Sequence, residues 1–331
     1  MANLAETKAI LKNHNLRLKD SLGQNFLIDD NILDRIIALS EIEDESVLEI
    51  GPGIGNLTKK LAKKAKKVVT VEIDDRLINL LNERLVTEKN IEIVNADALE
   101  VDFKQYFTEQ FSVIANIPYY ITSPLIMKML EGSYNLNKLV VMVQQEVAER
   151  MAASPGGKDY GILSLVVQYY SKANILFNVS AESFFPQPEV KSAVIELNVR
   201  ENPIVKVKDK EFLFTIIKAA FQQRRKIVRN SLAKANNIDL NKEIIDQALN
   251  EAEINPRIRA ERIPLKDFAK LSNILYEIQE WKMQKVVDTS FFIWYNYFFV
   301  LTLIDFYDKL FIVWYYHIII MKGGRGWEKI F

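Results

Sequence analysis

The most constraining feature of this sequence is a regular alternation between short apolar runs and segments with helical periodicity. The apolar runs are rich in β-branched residues, as buried parallel strands are. They read SVLEI (46–50), VVTVEI (68–73), IEIVNA (91–96), FSVIAN (111–116) and KLVVMVQQ (138–145). The alternation predicts an α/β fold with a doubly wound, mostly parallel sheet, in which ligands bind beyond the carboxyl ends of the strands.

The pattern changes near Asn202-Pro203, after which only helical periodicity is found. We therefore predict an α/β domain over residues 1–201 and a small all-helical domain over residues 202–281. Residues 282–331 form an aromatic-rich tail, whose first uninterrupted apolar stretch is too short to span a bilayer. We expect no stable membrane insertion and a tail that is dispensable for catalysis. We favour the interpretation that this tail is an extension that is not a selected part of the protein. An interfacial anchor or partner-binding helix and a third packing layer are the alternatives.

The counts of reactive residue types exclude several kinds of active site. The 331 residues include no cysteine and only two histidines, His14 and His317. Disulfides, thiolate zinc sites and cysteine nucleophiles are therefore excluded, and we expect no metal. Lysine plus arginine and aspartate plus glutamate number 43 each, so a basic surface can arise only from local clustering. The polar N-terminus lacks a secretory apolar run, and we expect a cytoplasmic protein.

The first motif is EIGPGIGNLT (49–58), which begins within the first apolar run. Glycines at this place let the backbone approach a ligand closely and turn tightly into the next helix. The spacing is G-x-G-x-G, whereas the pyrophosphate of a dinucleotide requires G-x-G-x-x-G. Glu49 also stands where dehydrogenases usually keep an apolar residue. The motif therefore favours a nucleoside-binding loop, and a plain tight turn is the alternative.

One acidic residue lies at the end of the second apolar run, and another directly follows the third. Glu72 lies at the end of the second run, where a carboxylate can accept hydrogen bonds from both ribose hydroxyls. The alternative is a solvated strand end beside Asp74 and Asp75. Asp97 follows the third run and can bind the adenine amine of a cofactor, although a turn or helix cap is equally consistent with its position.

Asn116-Ile117-Pro118-Tyr119 (the NIPY motif) ends the fourth run and is the most specific element. An aromatic amine is a poor nucleophile, because its lone pair is delocalised into the ring. The Asn116 side-chain oxygen and the Ile117 carbonyl can hold both amine protons and favour an attack-ready nitrogen. Tyr119 can stack on a base that is flipped out of its helix. Catalysis then depends on positioning, and a simple X-Pro turn is the alternative.

Two further segments complete a predicted nucleic-acid site. Phe184 begins the rigid aromatic–proline loop FFPQP (184–188) and can stack on the base opposite Tyr119, with core filling as the alternative. The window over residues 215–230 contains five basic residues and no acidic one. We predict phosphate contacts there, against the alternative of a solvated helix face. The contacts are assigned to Arg224, Arg225, Lys226 and Arg229.

With these residues assembled, the sequence resembles the small-subunit (16S) ribosomal RNA dimethyladenosine transferases. The motifs that carry the resemblance span about residues 14–275. They are LKDSLGQNFL (18–27), EIGPGIG, VEID, NADAL, NIPY, SFFPQPEV, FQQRRK and NPRIRAERIPLKDFAKLSN (255–273). The resemblance implies a Rossmann-like class I methyltransferase sheet of seven strands with a small helical C-terminal domain. It also implies methyl transfer from S-adenosyl-L-methionine to the exocyclic amines of two adjacent adenines near the 3′ end of small-subunit rRNA.

The resemblance assigns roles to single residues by motif. Cofactor contacts are implied for Asn25, Leu27, Gly51, Glu72, Asp97 and Asn116. Base handling, and with it catalysis, is implied for Asn116, Tyr119 and Phe184. The implied partner is small-subunit rRNA within a pre-ribosomal small subunit, and we expect the protein to be monomeric.

Two other functions remain open from the sequence. A large-subunit rRNA adenine methyltransferase shares QNFL, the glycine loop and a similar IPY element, but the RRK segment and the RAERIPLKDFAKLSN ending fit the small-subunit enzymes better. A non-enzymatic binding role on the same fold is the second alternative. The intact NIPY motif argues against a protein that has lost catalysis.

Overall fold

The structure, a computed structural model, describes residues 4–19, 22–223, 225–235 and 240–280. The helices in these residues are α1 (Leu4–Asn13), α2 (Asp30–Ser40), α3 (Asn56–Ala62), α4 (Asp75–Arg84), α5 (Thr122–Glu131), α6 (Gln145–Met151), α7 (Ile162–Tyr170), α8 (Lys210–Phe221), α9 (Val228–Leu232), α10 (Lys242–Glu251) and α11 (residues 265–280). The strands are β1 (Phe26–Leu27), β2 (Ser46–Ile50), β3 (Lys67–Glu72), β4 (Ile91–Asn95), β5 (Phe111–Asn116), β6 (Leu136–Gln144), β7 (Ser171–Val179), β8 (Phe184–Phe185) and β9 (Ser192–Val199).

Seven of these strands form one sheet in the order β4-β3-β2-β5-β6-β9-β7. The strands from β4 to β6 are parallel to one another, and β9 runs antiparallel between β6 and β7. The direction of winding reverses between β2 and β5, and such a reversal opens a crevice beyond the carboxyl ends of the two strands. The predicted doubly wound methyltransferase sheet of seven strands is confirmed.

The central strands were predictable because they are buried on both faces. β2 and β5 have the predicted bounds, and their apolar side chains are at most 2% exposed. Helix α2 begins at Asp30 because the Asp29 side chain accepts a hydrogen bond from the backbone N–H of Asn31, which satisfies one of the first free donors of the helix.

A second, two-stranded sheet joins two segments that are far apart in the sequence. β1 pairs antiparallel with β8, so that Phe26 lies opposite Phe185 and Leu27 opposite Phe184. Leu27 and Phe184 belong to one buried apolar cluster, whereas Phe26 packs in another with Leu11 of α1. Strands of two residues carry no periodicity, so neither strand is predictable from the sequence pattern.

After β9 the described residues are helical or irregular, apart from one isolated bridge between Ile227 and Arg259. The described residues up to 272 form one compact unit, to which residues 273–280 do not belong. A domain boundary near residue 202 therefore stays a prediction, and the tail over residues 282–331 lies outside the described residues. In the part of the chain that the structure describes, no helix has both the length and the apolar character needed to cross a bilayer.

Candidate active site

The carboxyl ends of β2, β3 and β5 open into a cavity of about 990 Å³, counted out to its mouth. Parallel strands that end at one edge of a sheet bring together residues that are distant in sequence. Each residue predicted to contact the cofactor lines this cavity, namely Asn25, Leu27, Gly51, Glu72, Asp97 and Asn116. Tyr119 lines the cavity as well, whereas Phe184 does not.

The EIGPGIG loop between β2 and α3 approaches its neighbours too closely for side chains to fit. Gly51 has a φ of +65° and donates its backbone N–H to the Val71 carbonyl at 2.9 Å. A Cβ atom on Gly51 would lie 3.2 Å from Cδ of Pro118. Gly53 has a φ of +59°, and a Cβ atom there would lie 2.7 Å from the Phe26 ring. The positive φ therefore favours glycine at both positions, a Cβ atom at Gly53 would also clash with Phe26, and the loop is held between the NIPY motif and β1.

Glu72 ends β3 at the cavity wall with only 5% of its surface exposed. Its Oε1 accepts the backbone N–H of Asp74 at 2.9 Å, and its Oε2 accepts that of Gly53 at 3.4 Å. Burial raises the pKa of Glu72, and these two N–H groups oppose the rise. Each carboxylate oxygen has a further lone pair for a ligand hydroxyl. The alternative of a solvated strand end does not hold, because Glu72 and Asp74 are both buried.

Glu49 is a second buried carboxyl group on the cavity wall, with 1% of its surface exposed. The Thr70 hydroxyl donates to its Oε2 at 3.2 Å. Burial raises the pKa of Glu49 to about 7, and the nearby charge of Glu72 adds to the rise. Near neutral pH this part of the wall can therefore exchange a proton when a charged ligand arrives.

Asp97 follows β4 at the cavity wall and is half-buried. Its Oδ1 accepts the backbone N–H of Leu99 at 2.8 Å, so the turn that we considered as an alternative is present. The Asp97 side chain therefore both accepts the hydrogen bond of the turn and lines the cavity. An ionised carboxylate has two oxygens and about four acceptor sites, so it can hold the turn and still accept from a ligand amine.

Asn116 ends β5, and hydrogen bonds fix the turn that follows it. The Ile117 N–H donates to the Met142 carbonyl of β6 at 3.1 Å. The Asn116 Nδ2 donates to the Asn25 carbonyl at 3.2 Å. Because this bond uses the amide nitrogen, the side-chain oxygen is the acceptor atom of Asn116. The predicted amine acceptor is thus joined directly to the segment that carries the predicted cofactor contacts.

Tyr119 begins a 3₁₀ turn at Tyr119–Ile121 and is half-buried at the cavity wall. Its hydroxyl oxygen lies 2.7 Å from Oγ of Ser192, which is fully buried at the start of β9. Burial raises the pKa of Tyr119, so the hydroxyl stays protonated at neutral pH. This hydrogen bond fixes the far end of the ring, as a stacking surface for a base requires.

Phe184 has the position that we considered as its alternative. Its side chain is 3% exposed and packs in the buried cluster that contains Leu27. The pairing of β8 with β1 places Phe184 opposite Leu27, and Phe184 itself does not line the cavity. A stacking role for Phe184 stays a prediction, and it requires the 184–188 loop to rearrange when RNA binds.

The basic segment between α8 and α9 is only partly available to RNA. Arg225 and Lys226 are exposed, and Arg224 lies outside the described residues. Arg229 of α9 donates from Nη2 to Oδ2 of Asp246 at 2.5 Å and from Nε to Oδ1 of the same carboxylate. This two-point contact lowers the pKa of Asp246 and offsets the charge of Arg229. A phosphate must therefore compete with Asp246, and an RNA role for Arg229 stays a prediction.

Three residues of the site were not assigned from the sequence. The Asp74 side chain is fully buried and accepts hydrogen bonds from Arg76 and Gln24, and Gln24 itself lines the cavity. Ser192 is the third, through its contact with Tyr119. The only sequence signal for Asp74 is its place two residues after Glu72. Its bond to Gln24 spans fifty residues of chain and leaves no local pattern.

Comparison with known proteins is informative over most of the chain. A family model described as ribosomal RNA adenine dimethylase matches residues 15–277. A ribosomal RNA small subunit methyltransferase A from Bacillus pumilus is 48% identical over 285 residues, which are 83% of this chain and 97% of that protein. The protein of the same name from Halothermothrix orenii is 44% identical over 282 residues, which are 83% and 94% of the two chains.

Two solved structures are similar in fold. A dimethyladenosine transferase from Plasmodium falciparum has a TM-score of 0.64 and 30% identity, over 73% of this chain and 94% of that chain. The 23S rRNA methyltransferase ErmE has a TM-score of 0.59 and 27% identity, over 76% of this chain and 99% of that chain. Both similarities extend over nearly the whole of the solved chains.

Proposed function

The chain belongs to the ribosomal RNA adenine dimethylase family, and on this basis we propose its reaction and the residues that perform it. It transfers methyl groups to the exocyclic amines of two adjacent adenines in the 3′-terminal hairpin of small-subunit rRNA, which yields dimethyladenosine during ribosome biogenesis. The observation that carries the proposal is the bond from Asn116 to the Asn25 carbonyl, which joins the amine acceptor to the cofactor side of one cavity.

S-adenosyl-L-methionine is the proposed methyl donor, and the chemistry of the cavity lining fits it. Glu72 is the proposed acceptor for the ribose hydroxyls, and Asp97 for the adenine amine of the cofactor. Gly51 lets the loop backbone approach the ligand, and Asn25 and Leu27 contact it from the β1 side. When bound, the cofactor supplies an already activated methyl group, so the proposed reaction uses no metal.

The proposed catalysis depends on aligning the target amine. The Asn116 side-chain oxygen and the Ile117 carbonyl accept its two protons, which keeps the nitrogen lone pair directed at the methyl group. The Tyr119 ring, fixed by its hydrogen bond to Ser192, stacks on the flipped adenine. These groups are rigid before the substrate arrives, so little reorganisation opposes the reaction.

Small-subunit rRNA is favoured over large-subunit rRNA by the comparisons. Relatives named ribosomal RNA small subunit methyltransferase A are 48% and 44% identical, whereas the 23S rRNA enzyme is 27% identical. The proposed partner is the rRNA of a pre-ribosomal small subunit in the cytoplasm, bound by a monomer. Arg225 and Lys226, together with Arg224, are the proposed phosphate contacts.

The test is methyl transfer by an Asn116→Ala variant. Purified wild-type and variant chains are incubated with radiolabelled S-adenosyl-L-methionine and small subunits that lack the dimethyladenosines. We expect the variant to be slower by roughly 10²–10³-fold, the effect of removing one aligned hydrogen-bonding group from an active site. Near-normal turnover by the variant would contradict the proposal, as would a wild-type chain that labels no adenine.

Asn90→Ala is the matched control for this experiment. The Asn90 Nδ2 donates to the carbonyls of Ala62 and Ala65, both at 2.9 Å, outside the cavity lining. Each variant loses a half-buried side-chain amide, but only Asn116→Ala removes a hydrogen-bond acceptor from the cavity wall. We expect Asn90→Ala to lower the melting temperature and to leave the turnover of the folded protein unchanged.

A further inference from the structure

Asp74 has a fully buried carboxylate that three side chains surround. It does not form part of the cavity wall. Arg76 donates to both oxygens, from Nε to Oδ1 at 2.8 Å and from Nη2 to Oδ2 at 2.5 Å. Gln24 donates from Nε2 to Oδ2 at 2.8 Å, and the Lys19 Nζ lies 3.6 Å from Oδ1. A buried charge with this many donors is held in one geometry, because breaking a contact leaves a charged group unsatisfied.

The partners of Asp74 fasten the segment that precedes β1. The Gln24 Oε1 accepts the backbone N–H of Lys19 at 2.8 Å, so one amide group closes the segment on itself and ties it to Asp74. The Arg76 Nη1 donates to the Arg17 carbonyl at 2.9 Å and fastens a second point. The segment continues directly into Asn25 and Leu27, which line the cavity.

The backbone of Asp74 acts on the other side of the same cavity. Its N–H donates to the Glu72 Oε1 at 2.9 Å and so orients the carboxylate proposed to bind ribose. Across the cavity, the carbonyl of Asn25 accepts from Asn116 at 3.2 Å. One unbroken series of contacts therefore runs from Glu72 through Asp74 and Gln24 to the catalytic asparagine.

We propose that Asp74 is a positioning residue of the cofactor site, which anchors Arg17, Lys19 and Gln24 beside Glu72 without touching the cofactor itself. A segment that is ordered in advance does not lose conformational freedom when the ligand binds, so the anchor increases cofactor affinity. This inference rests on the proposed function, because it takes the cavity to be the S-adenosyl-L-methionine site.

Two variants and their combination test the proposal by direct titration calorimetry with S-adenosyl-L-methionine. Gln24→Ala releases the segment and keeps the pair of Arg76 with Asp74. Asp74→Asn keeps an oxygen to cap α4 but removes the charge. Each variant should raise the cofactor Kd about tenfold, the effect of one hydrogen bond to a charged group. The double variant should bind the cofactor no more weakly than the single variant with the higher Kd. Both changes break the same connection, the one between Gln24 and Asp74.

It is informative whether the effects of the two single variants on the cofactor Kd add, because Gln24 also lines the cavity. If Gln24 acted only by touching the cofactor, the two effects would add, and the proposal would be overturned. A cofactor Kd of Asp74→Asn equal to that of the wild type would overturn it as well. If Asp74→Asn does not fold, Arg76→Lys takes its place, since lysine keeps a positive charge beside Asp74 but cannot form the two-point contact or the bond to Arg17. An unchanged Kd in that variant counts equally against the proposal.

The kinetic readout separates positioning from a loss of structure. For Gln24→Ala we expect the KM for the cofactor to rise, while kcat at saturating cofactor and the KM for small subunits stay within about twofold of the wild type. Asp246→Asn is the matched control, because Asp246 has the same two-point contact with an arginine but lies outside the cavity lining. It should lower the melting temperature and leave the cofactor Kd unchanged. A wild type that binds the cofactor but methylates no adenine would refute the proposed function and leave this inference standing.

Discussion

The cavity proposed to bind the cofactor and the basic segment over residues 222–229, which extends into α9, differ in what determines their roles. The cavity is formed by strand ends, glycine backbone and carboxylates that are held by neighbouring N–H groups. The basic segment presents exposed side chains, Arg225 and Lys226, and a half-buried one, Arg229, that is already paired with Asp246. Backbone constraints specify a site from local sequence, whereas a run of charges specifies only candidates, because a distant acidic residue can pair with any of them.

The largest expected effect is that of Gly53→Ala in the cavity. The left-handed conformation costs about 1–2 kcal/mol for a non-glycine residue. The new Cβ atom would also lie 2.7 Å from the Phe26 ring, and overpacking adds about 1–3 kcal/mol. We expect the free energy of unfolding, measured by urea denaturation, to fall by about 2–5 kcal/mol, together with weaker cofactor binding.

Gly156→Ala separates the cost of the left-handed conformation from the cost of the steric clash. Gly156 has a φ of +94°, but a Cβ atom there would have no neighbour within 4 Å. This variant therefore carries the conformational cost without the clash, and it should be destabilised less than Gly53→Ala. Equal losses of stability in the two variants would show that the Phe26 ring does not constrain the loop.

Glu49→Gln should change how stability depends on pH. The pKa of Glu49 is raised to about 7 in the folded state, so between its ordinary value and 7 the folded chain binds a proton that the unfolded chain has released. Stability therefore falls as pH rises through this range, and above it the cost is about 3 kcal/mol. The variant should match the wild type near pH 4 and exceed it in chemical denaturation at pH 8. Parallel stability curves would contradict this expectation.

The double change Arg225→Ala/Lys226→Ala tests whether the exposed residues of the basic segment bind RNA. We expect the log–log slope of RNA binding against salt to flatten by roughly two units, about one for each phosphate that the variant no longer binds. The cofactor Kd should not change, because neither residue lines the cavity. An unaltered slope in filter-binding titrations would remove these two residues from the RNA site.

Arg229→Ala should have the smallest effect on RNA binding. Its guanidinium group is already engaged by Asp246, so the slope should change by clearly less than the roughly one unit of a phosphate contact. Its melting temperature should fall instead, because Asp246 is left without its partner. A full unit of slope, with unchanged melting temperature, would show that RNA displaces Asp246.

Local patterns predicted the central sheet and the cavity-lining residues, because each of these depends on a short stretch of chain. A run such as 111–116 is mostly apolar since both faces of β5 are covered, and its last residue lies at the ligand edge. The burial of Phe184 was not predictable, because it depends on pairing with Leu27 across more than 150 residues. The interior position of Asp74 depends in the same way on Gln24 and Arg76.

The pairing of β1 with β8 has a thermodynamic consequence for how the two substrates bind. It connects the segment that carries Asn25 and Leu27 with the loop that starts at Phe184, so displacement of one strand is transmitted to the other. Two binding sites that bias one shared element are reciprocally coupled, and each ligand changes the affinity of the other by the same factor. If RNA contacts the loop at Phe184, the cofactor should therefore bind the RNA-bound enzyme with a different affinity from the free enzyme.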